Sequence, residues 1–315
     1  MKNKRPILQY PVAASLTAVL CTLLWGTAFP CIKIGYKLFG IDSGDVPAQF
    51  IFAGARFLGA GLIVFIIGLI RQPKKMKLHK QDILPVSVLG FFQTFLQYLL
   101  LYTGIVYVSG TKSSVFTSLS AFGSVILSAI VFKSDKLTIR KIGGCIIGIS
   151  GIIVMNLEGG NFGGFLLAGD GLVILSNLSG AVGNVVSKKI SPGRDALQIS
   201  SWQLMIGGTA LTAAGYIFGG HLYVGSLNAM LMLLYLAAMA GIAFMLWTSL
   251  LFYHSVSRIA VYNLLIPVFG TMWSGIFLGE NIFTLINLLS LLLVCAGIFF
   301  VNSTGRKAAL SGRKG

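Results

Sequence analysis

Long apolar runs separated by short polar stretches constrain this chain more than any other feature. About 20 residues suffice for a helix to cross a hydrocarbon core ~30 Å thick. Ten windows of that kind can be drawn, at 13–36, 48–70, 83–106, 111–132, 141–157, 170–188, 199–219, 228–253, 259–279 and 282–302. Inside lipid every backbone polar group needs a partner within the protein, so runs of this length without strand alternation are helices rather than barrel strands. Only 10% of the 315 residues are charged, against about 25% in a soluble domain. The sequence therefore predicts an all-α integral membrane protein with ten transmembrane helices. A soluble enzyme, a secreted disulfide scaffold and a free nucleic-acid binder are excluded.

The net charge of +16 has its explanation in where the basic residues fall. With the N-terminus in the cytoplasm, the inner segments collect Lys2, Lys4, Arg5, Arg71, Lys74, Lys75, Lys77 and Lys80. They also take Lys133, Lys136, Arg140, Lys141, Lys188, Lys189, Arg194 and Arg258, then Arg306, Lys307, Arg313 and Lys314. Only Lys37 and Lys112 fall in outer loops, with Lys33 and Arg56 inside spans. This is the positive-inside bias of a multi-pass protein, with both termini cytoplasmic. The basic start leads into an apolar stretch of full spanning length with no clear small-residue cleavage site, which predicts no cleavable signal peptide. Cys21, Cys31, Cys145 and Cys295 all lie within spans; they lack metal-ligand spacing and read as small packing residues. Asn177 and Asn302 begin sequons that fall in a span and at the inner end, away from glycosylation.

The chain repeats itself. Phe122-Gly123-Ser124 recurs as Phe269-Gly270-Thr271, and Arg56-Phe57-Leu58-Gly59-Ala60-Gly61 aligns with Gln203-Leu204-Met205-Ile206-Gly207-Gly208, both at an offset of 147. Gly151-Ile152-Ile153-Val154-Met155-Asn156 matches Gly297-Ile298-Phe299-Phe300-Val301-Asn302 at 146. Each half then holds five helices, and because five is odd the halves are inverted in the bilayer. Inverted repeats are the usual build of secondary transporters, with the solute site near the midplane between the halves.

Several short motifs give this layout a family. Leu24-Trp25-Gly26-Thr27-Ala28-Phe29 followed by Lys33, Ala55-Arg56-Phe57-Leu58 in the second span, and the ninth span from Pro267 to Leu278-Gly279-Glu280 together resemble the EamA family of the drug/metabolite transporter superfamily. The resemblance covers residues 15–156 and 170–303, leaving 304–315 as a basic cytoplasmic tail. It implies two EamA-like units around a central cavity that carry a small metabolite, often an amino acid and frequently outward, across a bacterial cytoplasmic membrane. This sequence departs from the family pattern at Ser120, which stands where the second half has Pro267, and at Lys133-Ser134-Asp135, which replaces Leu-Gly-Glu. Pro30 is a further departure, since the family often has an ordinary apolar residue there.

Polar side chains inside spans mark either the cavity or tight helix packing. Gln93, Thr94, Gln97, Tyr98 and Tyr102 share an arc of about 180° on the third span, which favours a cavity lining. In the sixth span Ser176, Gly180, Gly183 and Ser187 make a small-residue packing ridge, while Asn177 and Asn184 point another way and are candidate lumen amides. Gly144 and Gly148 read as packing in the fifth span. The fourth-span series Ser113, Thr117, Ser120, Ser124 and the ninth-span series Asn263, Pro267, Gly270, Thr271, Ser274 fit packing or cavity equally. Trp25 lies mid-span with an indole N–H in need of a partner. Pro30 after Gly26, and Pro267, are expected kinks that serve as hinges, as carbonyl-freeing breaks or as permanent bends. Lys33 and Lys112 are expected to snorkel outward, Glu280 to cap the tenth helix, and His254 to end the eighth.

Arg56 is the sharpest candidate. It lies eight residues inside the second span, ~12 Å deep at 1.5 Å per residue, with no carboxylate in the membrane interior to pair it. It fits a ligand for a solute carboxylate or phosphate, or an anchor bonded to helix carbonyls or to Asp42 and Asp45. The second half places neutral Gln203 at its equivalent.

No span carries an acidic residue at mid-depth, so proton coupling has no obvious carrier. Gly110-Thr111-Lys112-Ser113 fails the P-loop order, and no nucleophile–base pair is apparent. The expectation is a permease working by alternating access on a small polar metabolite, its partners that solute and membrane lipids, with an oligomeric state the sequence leaves open and a monomer compatible with it, and with no catalytic residues, metal or cofactor. The alternatives are an importer or exchanger of a larger solute such as a nucleotide derivative and, more remotely, a membrane-embedded enzyme.

Overall fold

A computed structural model describes residues 6–108, 110–155, 165–223, 225–278 and 285–311. The described residues are helical, with no strand among them. In the first half α1 is Pro11–Phe39, α2 Val46–Arg71, α3 Lys80–Gly90, α4 Gln97–Ile105, α5 Gly110–Val131 and α6 Ile139–Met155. The second half has α7 at Leu172–Ile190, α8 at Ala196–Ile217, α9 at Leu227–Tyr253, α10 at Val256–Ala260, α11 at Leu265–Leu278 and α12 at Leu285–Ser311. Side-chain caps start four of them: Asp45 accepts from the Ala48 N–H, Thr138 from Lys141, Asp195 from Leu197 and Ser226 from Ala229, each satisfying a donor that the first turn leaves free.

Two irregular stretches interrupt what the sequence presents as single spans. Between α3 and α4, Phe91–Leu96 winds as a π-helix; Ser179 of α7 donates to the Phe92 carbonyl at 2.6 Å. Between α10 and α11, Val261–Leu264 tightens to a 3-10 turn. Pro267 lies just beyond it, in the first turn of α11, so the irregularity precedes the proline. With no N–H, Pro267 leaves the Asn263 carbonyl four residues back without its helical donor. By contrast α1 runs unbroken past Pro30, since a helix of 29 residues tolerates one lost hydrogen bond when neighbours pack its sides.

Among the described residues, six helical runs are long and apolar enough to cross a membrane: Pro11–Phe39, Val46–Arg71, Lys80–Ile105, Leu227–Tyr253, Val256–Phe277 and Leu285–Ser303. The helices outside that set include α7 and α8, whose Ser, Asn, Gln and Gly residues dilute their apolar character. Those residues are enclosed: Ser176, Asn177, Asn184, Gln198, Ser200, Ser201 and Gln203 are all buried. A helix wrapped by protein does not need the apolarity that lipid demands. The outer surface is the reverse, with Ile66, Ile70, Leu231, Leu234, Leu288, Leu292 and Phe299 exposed, an apolar exterior suited to lipid.

The most extensive pairings are α2 with α8 and α6 with α12, followed by α1 with α9 and α11, α7 with α5, α2 with α9, and α7 with α4. Both leading pairs are antiparallel and close enough to need glycine. A Cβ on Gly208 would lie 2.5 Å from the Leu58 backbone nitrogen, and one on Gly297 would lie 2.5 Å from the Gly144 carbonyl oxygen. Trp25 packs against three separate apolar clusters, which places it where the bundle's parts meet.

Candidate functional site

Arg56 of α2 is 3% exposed. Its guanidinium carbon lies 4.3 Å from the centroid of the Phe57 ring and 5.7 Å from that of Tyr98. Nε and Nη1 are buried without a hydrogen-bond partner, and no carboxylate among the described residues pairs with the side chain. Asp45 is occupied in capping α2, and the Asp42 backbone carbonyl accepts from Gln49. The anchor reading through those aspartates therefore has no bond to support it here. Stacking on aromatic faces stabilises a desolvated cation by about 2 kcal/mol, well short of several kcal/mol for taking an ion out of water.

A cluster of packed aromatic rings, termed the aromatic chamber, adjoins this charge. Phe57 meets Tyr98 at 4.4 Å between centroids, Tyr98 meets Tyr102 at 6.1 Å and Phe57 meets Phe244 at 6.1 Å. Trp25 closes it edge-on to Phe244 at 5.3 Å and to Trp247 at 5.0 Å. Tyr36 packs on the same cluster and lies within electrostatic reach of Arg56. The Trp25 indole N–H and the Tyr36 hydroxyl join Arg56 as buried polar atoms without partners.

A second polar group is built on Asn184. Its carbonyl oxygen accepts from Trp247 Nε1 at 3.0 Å and Gln93 Nε2 at 3.3 Å, and its amide donates to Ser124 Oγ at 3.2 Å. Gln93 Oε1 is left free. The adjacent Thr94 donates to Gln203 Oε1 at 2.8 Å, leaving Gln203 Nε2 unpartnered. Gln93 and Thr94 both lie in the π-turn, a distortion found often at functional sites.

The structure thus brings Trp25, Arg56, Tyr98 and Tyr102 into one chamber, with Gln93 and Asn184 beside it through Trp247. Gln97 packs over Gly180, where an added Cβ would lie 2.7 Å from Gln97 Oε1. Asn177 turns back to its own helix, donating to the Val173 carbonyl at 2.8 Å, and Thr271 does the same to Pro267 at 3.0 Å. Asn263 is buried in the 3-10 turn with Oδ1 free. Gly26 serves close approach, since a Cβ there would lie 2.7 Å from Phe269 Cβ. Glu280 and Asn161 lie outside the described residues. Tyr36, Phe244 and Trp247 were not singled out by the sequence. Tyr36 had a readable signal: eleven residues from Trp25 returns to nearly the same helix face. Phe244 and Trp247 had none, because α9 is apolar all round.

The end of the bundle rich in Lys and Arg, here the basic face, is cross-linked by polar contacts. Arg194 Nε meets Asp82 at 2.8 Å, Gln198 donates to the Lys77 carbonyl at 2.7 Å and Trp202 to Met76 at 2.9 Å. Asp135 accepts from Lys141 at 2.5 Å and from the Ser257 N–H at 3.0 Å and hydroxyl at 2.5 Å. Burial pushes the Asp135 pKa up, but these bonds outweigh it and hold the carboxyl below its ordinary value. His254 reaches the Leu8 carbonyl at 2.7 Å, and burial, more than the nearby Arg258 and Lys188 charges, lowers its pKa. A cavity of about 650 Å³ at this face is lined by Lys74, Lys75, His79, Asp82, Arg194 and Asp195, among others. It does not include Arg56.

Known proteins share this build. A solved protein crystal structure superposes with a TM-score of 0.78 at 18% identity, over 95% of this chain and 99% of that one, which shows a common fold. The chain is similar to "Probable amino-acid metabolite efflux pump" of Salmonella typhimurium, 28% identical across 94% of this chain and 97% of that protein. It is also similar to "Uncharacterized transporter YoaV" of Bacillus subtilis, 25% identical across 91% and 96%. The EamA-like transporter family model matches residues 12–157 and again 167–303. With that match across both halves, the chain belongs to the EamA-like transporter family, as a multi-pass membrane transporter.

Proposed function

We propose that this protein is a secondary transporter that moves a small anionic or zwitterionic metabolite outward across the bacterial cytoplasmic membrane by alternating access. The observation that carries the reading is Arg56, a buried guanidinium with two unpartnered nitrogens and no carboxylate. A solute carboxylate is the natural partner, held by two parallel N–H···O bonds. The aromatic walls then receive the rest of the solute, with the Trp25 indole and Tyr36 hydroxyl as further donors. The amino-acid metabolite efflux named for the Salmonella relative fits a solute that carries a carboxylate.

The proposed architecture is ten crossings in two inverted five-helix repeats, with both termini cytoplasmic and the basic face inside. The pairing of α2 with α8 and of α6 with α12, and the matched pairings of α1 and α7, support this symmetry. The ties across the basic face then close the cytoplasmic end, and α11 beyond its 3-10 turn is the proposed hinge. The test is counterflow in proteoliposomes against amino acids, their acyl derivatives, nucleosides and sugars. Exchange of carboxylate-bearing solutes alone supports the proposal; exchange of neutral sugars or nucleosides that is insensitive to Arg56→Gln overturns it.

A further inference from the structure

A separate cavity of about 570 Å³ opens at the basic face, between the ends of α5, α7 and α9. Its lining combines basic Lys188, Lys189 and Arg194 and the polar Ser191 with apolar Phe132, Pro192, Phe252 and Tyr253. No acidic residue lines it. The nearby carboxylates are engaged, Asp82 by Arg194 and Asp135 by Lys141 and Ser257, although the Asp135 charge does reach Lys188. Lys188 Nζ makes one bond, to the Phe252 carbonyl at 2.9 Å, and Lys189 is exposed. Two cations therefore stand without a carboxylate partner among the described residues, in a site that aromatic side chains also line.

The location matters as much as the charge. Lys188 and Lys189 occupy the last turn of α7, Phe252 and Tyr253 the last turn of α9, and Phe132 directly follows α5. In a membrane-spanning bundle these ends lie at the depth of the lipid headgroups, where Tyr and Lys are favoured. Tyr253 is 45% exposed and Ile130, the next-to-last residue of α5, is 74% exposed, so an acyl chain leaving the cavity meets an apolar surface.

We propose that this cavity is a binding site for the headgroup of an anionic phospholipid, with the phosphate between Lys188 and Lys189 and the glycerol against Phe252 and Tyr253. A soluble anion would use the two lysines but has no need of the aromatic wall or of a mouth at bilayer depth. Bound lipid would bridge the ends of α7 and α9, next to the Arg194–Asp82 tie, and favour closure of this face. The site is independent of the Arg56 chamber and does not rest on the identity of the solute.

Native mass spectrometry of the full chain in detergent tests the assignment, comparing dioleoyl phosphatidylglycerol with dioleoyl phosphatidylcholine. The wild type is expected to retain the anionic lipid about thirtyfold better, the scale of two interfacial lysines at about 1 kcal/mol each. Lys188→Gln with Lys189→Gln should erase that preference, while Lys74→Gln with Lys75→Gln, in the neighbouring cavity, should keep it. Because Lys188 also ties α7 to α9, the single variants Lys189→Gln and Lys188→Arg provide the check if the double variant does not fold. The first should reduce the preference and the second should preserve it. Equal retention of both lipids by the wild type, or an unchanged preference in folded Lys189→Gln, overturns the proposal. So does displacement of the lipid by millimolar glycerol phosphate, which would make this a soluble-anion site.

Discussion

Gly61 of α2 and Gly208 of α8 stand in reciprocal positions. A Cβ on Gly61 would lie 2.8 Å from the Ser201 carbonyl oxygen, and one on Gly208 would lie 2.9 Å from the Gly54 carbonyl oxygen. Both pairs of like positions, 54 with 201 and 61 with 208, share the 147-residue offset of the sequence repeat. The same reciprocity holds between Gly151, which meets the Ser290 carbonyl, and Gly297, which meets that of Gly144. Both sets of contacts are what the proposed inverted repeat requires of a single internal two-fold operation. The α2–α8 crossing brings Arg56 and its counterpart Gln203 near its centre.

Gly208→Val should therefore open the α2–α8 crossing from its middle. Backbone atoms of Gly54, Phe57 and Leu58 cannot step aside as a flexible side chain would, so the expected loss is about 1–3 kcal/mol of stability or more. Melting of the purified variant in detergent checks it; a melting point equal to wild type would mean the helices separate without cost.

Arg56→Gln should fold and insert but lose transport of carboxylate-bearing solutes by a hundredfold or more, about 3 kcal/mol for a charge-assisted bidentate contact. Arg56→Lys should retain part of it, because the charge stays while the planar fork is lost. Initial rates in proteoliposomes decide. Normal rates in Arg56→Gln would return this residue to a structural role.

Asn184→Ala should leave Trp247 Nε1 and Gln93 Nε2 without their acceptor and Ser124 Oγ without its donor. Leaving one such buried group unsatisfied costs about 1–3 kcal/mol. The expected signature is lower thermal stability with altered tryptophan fluorescence, and Asn184→Asp, which keeps the acceptor oxygen, should recover part of the Trp247 contact.

The Asp135 node predicts an acid-sensitive closure. Its folded pKa is depressed below the ordinary 3.8, so its stabilisation is complete above that value and is lost as pH falls through the folded one. Asp135→Asn should remove this contribution at neutral pH, costing about 3–5 kcal/mol by stranding Lys141, and flatten the acid limb of the stability profile. Thermal melting from pH 7 down to pH 3 measures both effects.

Orientation is checked with single cysteines in a cysteine-free background. Lys77→Cys should resist impermeant thiol reagents in intact cells, whereas Asn161→Cys should react. Labelling of the first from outside would invert the topology.

Sequence alone determined that the chain is helical and belongs in lipid, because hydrocarbon admits only internally bonded backbone and the apolar runs are of spanning length. It also held the repeat, the motifs of the family and the isolation of Arg56, which needed only the absence of acidic residues nearby in the spans. The tertiary structure decided which polar side chains face one another. Asn177 and Asn184 share a helix face and residue type, yet one bonds its own backbone and the other joins three helices, since that choice depends on what the neighbouring helices present. The chamber walls Phe244 and Trp247 were invisible for the same reason: on a helix that is apolar all round, only packing distinguishes the side chains that join the aromatic cluster from those that meet lipid. The π-turn at Gln93 likewise has no local residue signature, because a shifted hydrogen-bond register persists only where a partner such as Ser179 takes up a displaced carbonyl.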